Sequence, residues 1–369
     1  MSTSLPGDQH VGEQDRADSP VEVELRWVRM TLRRPHVAAH GTEVDREVVL
    51  VKVVLPDGIT GWGECSALAR PTYTSEYTAA AWVVLRDELA PAALAGRPSE
   101  VVGHPMATAA VSDALLDARL RRTGLSLSRA LGASADRVPT TTVIGIAGTI
   151  DDLLGRVEGV TGGIKLKIRP GWDHEPLRAV RSAWPDRWLA ADANAGFTSS
   201  DLDPLRALDD LGLAYLEQPV RGLVDSASLA GRLDTPICLD ESIDTTDAVA
   251  VAVAMDAMAV VNVKPSRLGG VEIAREVVAM AVEAGIATFV GGMLETGVGR
   301  ASAAAVAALD GCTLPTDLGP SSRYFVDDVT PAIVGVDGCL CVPAGPGIGV
   351  EPDPDRLDEV TVAGVTLRR

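Results

Sequence analysis

The sequence predicts an α/β protein: a (β/α)7-8 barrel preceded by an α+β region to which the C-terminal segment returns. Three observations predict it. From about residue 138, short apolar runs alternate with helical stretches, one run every 20–25 residues or so, as parallel strands joined by crossover helices require. The runs number about eight, enough to close a ring. Charged residues sit at the carboxyl ends of these runs, where barrel active sites form. A doubly wound open sheet is the competing architecture. No Gly-x-Gly-x-x-Gly follows an early strand, however, and Gly297-Val298-Gly299 lacks the third glycine in place.

The elements follow in order. Residues 1–20 are polar and acidic, with no basic start and apolar run, and read as a disordered tail rather than a signal peptide. Val21 to Arg29 and Val48 to Leu55 alternate as strands do, and Asp57-Gly58 before Gly61-Trp62 marks a hairpin. Thr74 to Leu94 and Met106 to Leu131 read as amphipathic helices, completing an α+β region over residues 21–137. The barrel occupies residues 138–320. Its runs are Thr141 to Ile146, Ile164 to Ile168, Trp188 to Asp192, Ala214 to Glu217, Ile237 to Asp240, Ala259 to Lys264, Ala287 to Val290 and, less regular, Cys312 to Leu318. Helical stretches such as Asp201 to Leu211 and Val271 to Ala284 lie between them. In residues 321–369 the beat stops, and this Gly- and Pro-rich tail is expected to fold back onto the first region.

Composition narrows the function. Of 369 residues 46% are hydrophobic but only 4% aromatic, so the core is large, aliphatic and Ala-rich. A formal charge of -18 argues against nucleic acid and anionic membranes as partners. No apolar run is long enough to span a bilayer. The five cysteines, Cys65, Cys238, Cys312, Cys339 and Cys341, are odd in number and form no Cys-x-x-Cys. That argues against a disulfide framework or zinc site and fits a reducing cytoplasm. Cys339 and Cys341 would share a strand face, where a packed pair of small residues is favoured over a soft-metal site.

The polar residues carry the chemistry. The second run ends Lys165-Leu166-Lys167, the third Asp192-Ala193-Asn194, the fourth Glu217-Gln218-Pro219, the fifth Asp240-Glu241-Ser242 and the sixth Lys264-Pro265. The seventh leads into Gly291-Gly292-Met293-Leu294-Glu295. One acid at a strand end is often only a helix cap, and a lysine is usually solvated. Five consecutive strands ending in the order Lys, Asp, Glu, Asp, Lys fit neither reading, because caps favour Ser, Thr, Asp and Asn. Asp192, Glu217 and Asp240 lie on neighbouring strands and can converge, and all-oxygen ligation suits Mg²⁺ or Mn²⁺. Strands two and six face each other, so Lys167, with Lys165 on the same face, opposes Lys264. A free lysine, at a pKa of about 10.4, is a poor base. A nearby Mg²⁺ and a neighbouring cation should both disfavour its ammonium, the latter being Lys165 for Lys167 and Arg267 for Lys264. A metal chelating a substrate carboxylate would stabilise the enediolate left when the α-proton departs. One lysine would remove the proton, and the other return one or steady the intermediate while a leaving group departs.

These residues resemble the muconate-lactonising branch of the enolase superfamily, and within it the o-succinylbenzoate synthase / N-acylamino acid racemase family. The matching stretches include Gly61-Trp62-Gly63-Glu64-Cys65, Pro71 to Tyr77, Ile164 to Lys167 with Pro170-Gly171-Trp172, Glu217-Gln218-Pro219, Pro236 to Ser242, Asn262-Val263-Lys264-Pro265, Gly291 to Arg300 and Gly345-Pro346-Gly347. The resemblance implies a capping domain closing over the barrel mouth, Mg²⁺ on Asp192, Glu217 and Asp240, and Lys167 and Lys264 as the acid/base pair assisted by Lys165. It implies syn dehydration in menaquinone biosynthesis, racemisation of N-acyl and often N-succinyl amino acids, or both, with Arg267 marking racemase-competent members. Asn194, Glu241, Arg267 and Tyr73 are expected at or behind the substrate, as are Gly292, Met293 and Glu295. The specificity loop, Arg34 to Thr42, departs from the family: His36 and His40 stand where aromatics are usual. Both read as satisfied loop residues or as a changed acyl or side-chain preference.

Other readings share parts of this pattern. Dipeptide epimerase and muconate cycloisomerase chemistry would use the same lysines and metal. A Schiff-base aldolase would leave the three acids unexplained, and a non-catalytic metal-binding scaffold would leave the lysines unexplained. The expected partner is a small carboxylate, and a homo-oligomer is expected.

Overall fold

In the computed structural model, which describes residues 19–38 and 41–369, the chain opens with a long antiparallel hairpin. Strand β1 (Glu22–Ala38) pairs with β2 (Gly41–Val54), and β3 (Thr60–Cys65) follows. The Asp57-Gly58 turn joins β2 to β3 as expected, with Gly58 at a φ of 81° and its amide donating to Leu55 O at 2.8 Å. β1 runs well beyond Arg29, because Arg33 and Arg34 remove the alternation while Leu32 remains buried. The described part of the expected specificity loop, residues 34–38 and 41–42, belongs to the two strands of this hairpin. His40 lies outside the described residues, as does the N-terminal tail to residue 18.

The helix Pro105–Thr123 lies directly on β3. A Cβ on Gly61 would come within 2.2 Å of Ala114 O, and one on Gly63 within 2.0 Å of Ala110 O. Alternate glycines against a helix face of alanines permit this approach. The single helix expected over Met106 to Leu131 is in fact two. Gly124 turns left-handed (φ 71°) and ends the first, and Ser126 caps a second, Leu127–Leu131. The helix expected from Thr74 begins only at Thr78, and a π-turn over Leu85–Leu89 interrupts it. There Ala90 N reaches back to Leu85 O, and Pro91, which has no N–H, follows.

After β4 (Arg137–Pro139), seven strands pair in parallel in chain order: β5 (Thr141–Ile144), β6 (Gly163–Lys167), β7 (Leu189–Asp192), β8 (Leu216–Glu217), β9 (Ile237–Leu239), β10 (Val260–Val263) and β11 (Ala287–Val290). The eighth run is not a regular strand, yet it closes the ring. Leu314 N and Asp317 N donate to Thr288 O and Val290 O beside β11, while Thr316 O accepts from Thr141 N of β5. Pro315 has no amide hydrogen and interrupts the ladder. Beyond it, β12 (Gly335–Val336) and β13 (Cys339–Cys341) form a small sheet with β4, and β14 (Thr361–Arg368) pairs antiparallel with β1. The cap sheet therefore joins both ends of the chain. No helix among the described residues is long and apolar enough to cross a membrane.

Period-two alternation sorts the barrel strands. Ile164, Leu166, Leu189, Leu216, Leu239 and Val263 face outward into the core shared with the helices. Inward, Ala190, Tyr215, Cys238, Val260 and Phe289 form a separate cluster. Each buried large aliphatic side chain contributes roughly 1.5–3 kcal/mol. Tyr215 and Phe289 stack with centroids 5.2 Å apart, giving the barrel an aromatic floor.

Candidate active site

Above that floor the inward positions become polar. The same alternation that placed Ala190 and Tyr215 inside places Asp192 and Glu217 two residues further on, and these two are register partners across β7 and β8. Lys165 and Lys167 point inward from β6, with Lys167 the register partner of Asp192. Asn262 and Lys264 belong to β10 and its end, and Asp240 follows β9. Lys165 donates to Glu217 Oε2 at 2.5 Å and also to Asp317. Lys167 Nζ contacts Asp192 Oδ2 at 2.6 Å and Asn194 Oδ1 at 2.8 Å. Lys264 Nζ contacts Asp240 Oδ2 at 2.9 Å and Tyr73 Oη at 2.8 Å. These groups, Asp240 apart, line one cavity of about 100 Å³.

Backbone devices hold the rim. The Gln218 side-chain oxygen accepts from Asp240 N at 3.0 Å and Ser242 N at 3.1 Å, and its nitrogen donates to Val220 O. In Glu217-Gln218-Pro219 the glutamine thus fixes the neighbouring strand end while the glutamate faces the cavity. Asn262 Nδ2 donates to Glu217 Oε1 at 2.8 Å. Gly291 makes room for that amide, since a Cβ there would sit 2.2 Å from Asn262 Oδ1.

The cap supplies part of the site. Tyr73 enters from the loop before the first helix and also meets Arg267. Arg267, buried, clamps Asp240 through Oδ1 at 2.7 Å and the main-chain oxygen at 2.7 Å. From β3, Glu64 accepts from Thr296 N, Thr296 Oγ1 at 2.5 Å and Gly299 N at 3.0 Å, so it occupies the start of the helix Gly297–Ala307. The Gly297-Val298-Gly299 segment therefore takes part in cap docking through Gly299 N, while Gly297 N donates to Asp328 Oδ1 and Val298 N to Thr296 Oγ1. Buried Arg46 adds contacts to the carbonyls of Leu294, Ser66 and Ala67.

Electrostatics favour the protonated form of Lys264 and Lys165. Burial and Arg267 do lower the proton affinity of Lys264, but Asp240 and Tyr73 outweigh them and the net direction is up. Lys165 is likewise raised, burial being outweighed by Asp317 and Glu217. A lysine closed onto a carboxylate keeps its proton. Asp240 is held well below the usual carboxylate range, since Lys264 and Arg267 overcome the effect of burial. Glu217 is pushed up to about 8 by burial and by Asp192.

The carboxylates do not yet surround one point: among the described residues no three His, Cys, Asp or Glu side chains are gathered as a metal cage. Each has turned to an ammonium instead, which satisfies it where no other cation is present. The donor set nevertheless fits Mg²⁺ or Mn²⁺. Asp192, Glu217 and Asp240 are hard oxygen donors, all buried and on adjacent strand ends. The proton affinity of Glu217 is what a bound dication would relieve.

The remaining expected residues divide. Gly292 and Met293 line the cavity with Leu294. Asn194 also lines it and donates to Glu241 Oε1 at 3.0 Å, while Glu241 opens onto an adjoining pocket. Arg267 is a clamp behind the wall. Glu295 sits behind the loop, accepting from Met293 N at 2.6 Å. His36 is paired through its backbone with Glu43 in the hairpin. Sequence reasoning did not single out Asp317, Asn262 and Gln218. Asn262 was available by period two from Lys264, and Asp317 as the one charged residue of the eighth run.

A β/α barrel with opposed lysines and three strand-end acids under a cap defines an enzyme of the proton-abstracting kind. The chain belongs to the enolase superfamily, mandelate racemase/muconate lactonizing enzyme group. Residues 20–132 match the "Mandelate racemase / muconate lactonizing enzyme, N-terminal domain" and residues 151–356 the "Enolase C-terminal domain-like" family. Among curated relatives, an N-succinylamino acid racemase from Amycolatopsis is 44% identical, covering 94% of this chain and 98% of the relative. An o-succinylbenzoate synthase from Geobacillus stearothermophilus is 39% identical, covering 92% and 95%. A solved enolase-superfamily member from Listeria innocua superposes with a TM-score of 0.91 at 31% identity, covering 95% and 99%. The muconate lactonizing enzyme of Pseudomonas fluorescens gives 0.87 at 25%, covering 94% and 100%.

Proposed function

We propose that this chain is a Mg²⁺-dependent enzyme that abstracts the proton α to a carboxylate, as an o-succinylbenzoate synthase, an N-succinylamino acid racemase, or both. The observation that carries the reading is the pair of lysines, Lys167 and Lys264, on strands four apart in the ring and lining one cavity with Asp192 and Glu217, while Asp240 contacts Lys264 from behind. The names of its relatives support the same two activities.

Asp192, Glu217 and Asp240 would hold the cation, which when bound supplies positive charge for the substrate carboxylate and for the charge left by the departing proton. The protein does the rest. Asn194 and Asp192 aim Lys167 from one side; Tyr73, Asp240 and Arg267 aim Lys264 from the other. In racemisation one lysine takes the α-proton and the other delivers one to the opposite face. In syn dehydration one takes the proton and gives it to the hydroxyl on the same face, which leaves as water, while the other steadies the intermediate. The cap, carrying Tyr73 and Leu68 into the cavity, excludes water.

Parallel assays test the reading: dehydration of the cyclohexadiene carboxylate precursor of o-succinylbenzoate, and racemisation of a panel of N-succinyl amino acids. Turnover of either, lost with EDTA and regained with Mg²⁺, is expected. Activity only on dipeptides or on muconate would replace it with another activity of the same group. Menaquinone biosynthesis as the setting follows if dehydration is the faster reaction.

A further inference from the structure

Lys165 is the most enclosed lysine of the cavity. Its side chain is 2% exposed, against 14% for Lys167, and its partners Glu217 and Asp317 are 1% and 9% exposed. Below it lie Phe289 and Tyr215, with ring centroids 5.1 and 6.0 Å from Nζ. Rings attract the charge but offer no strong hydrogen-bond acceptor. The ammonium therefore rests on two carboxylates, and these differ in kind. Glu217 is one of the three acids that would hold the cation. Asp317 lies on the irregular eighth segment. Its main chain is fixed by Asp317 N to Val290 O at 3.1 Å, and Thr141 Oγ1 donates to its Oδ1 at 2.6 Å.

We propose that Asp317 is a positioning residue that keeps the buried Lys165 ammonium paired, so that Glu217 can give its charge to a divalent cation. The inference rests on the metal reading above. A buried ammonium without a counter-ion is strongly destabilising. Were Glu217 the sole carboxylate on Lys165, a cation could bind Glu217 only by stripping Lys165 of its partner. Asp317 removes that competition. The eighth segment owes its place in the ring to the same contacts: an acid there ties strand β5, strand β6 and the segment together.

The test is calorimetric titration of Mg²⁺ into the full chain, read alongside thermal unfolding. Asp317→Asn should weaken Mg²⁺ binding by about tenfold or more, the usual scale for residues backing a metal ligand. Asp317→Glu should keep most of the affinity. In the Lys165→Met background, where no ammonium needs a partner, adding Asp317→Asn should leave affinity within about threefold. Asp317→Asn binding Mg²⁺ as the wild type does would overturn the proposal. So would a tenfold loss on adding it to Lys165→Met, which also decides the matter if Asp317→Asn alone does not fold. A wild-type chain that binds no divalent cation would instead overturn the metal reading, and this one with it.

Discussion

The two lysine-bearing walls of the cavity are built differently. On the Lys167 side the ammonium meets Asp192 and Asn194, both from the neighbouring strand end, and all three groups belong to the barrel. On the Lys264 side it meets Asp240 and Tyr73, and Arg267 grips both of those. Tyr73 belongs to the cap, so this wall is completed only when the cap is seated. The contrast teaches that one lysine is set by strand register alone, while the other also depends on domain docking.

Substitutions can break that contrast. Lys264→Ala and Lys167→Ala should each reduce racemisation by roughly 10²–10⁴-fold, the range of a lost acid/base group. Racemisation rates measured by polarimetry check this, and near-normal rates for either variant would remove the two-base scheme. Next in size, Arg267→Met leaves Asp240 buried with one cation fewer. A stability loss of about 3–5 kcal/mol is expected in denaturant unfolding, with activity falling alongside. Tyr73→Phe should be milder, slowing α-proton exchange in D₂O by about tenfold for the enantiomer deprotonated by Lys264 and less for the other. Equal effects on both enantiomers would show that the cap tyrosine does not serve one wall.

The smallest expected effect concerns cap docking and pH. Burial pushes Glu64 up to about 7 from the ordinary value of 4.5, against hydrogen bonds from Thr296 and Gly299. A carboxyl whose folded pKa lies above its unfolded one binds more protons when folded. Its contribution is present below about pH 4.5 and is lost as pH rises through about 7. The melting temperature should therefore fall by a few degrees between pH 5 and pH 8. Glu64→Gln, which cannot titrate, should flatten that slope, and an unchanged slope would locate the titration elsewhere.

The Lys167 wall was legible in the sequence because both of its determinants are local. Apolar alternation fixes the strands, and a charge at a strand end then has only the barrel mouth to face. Seven strands lie where this pattern puts them. The Lys264 wall was only half legible. Tyr73 entered through a family resemblance, since nothing in the local pattern of Pro71 to Tyr77 says that a cap loop reaches the barrel. Asp317 was passed over because its run, which Pro315 interrupts, is the least regular of the eight. The carboxylate partners of the lysines were hidden for a spatial reason. Charge order along the chain shows Lys165 near Lys167 and Arg267 near Lys264, but across strands each lysine meets a carboxylate first. Helix ends were missed where single residues decide them, at Gly124 and before Pro91.

The central claim is that Lys167 and Lys264 act on opposite faces of one substrate. It is tested most directly by following α-proton exchange in D₂O, by NMR, for each enantiomer of an N-succinyl amino acid with Lys167→Ala and with Lys264→Ala. The account predicts that each variant still exchanges one enantiomer without racemising it, and that the two variants retain opposite enantiomers. Both variants retaining the same enantiomer, or either racemising freely, would contradict it.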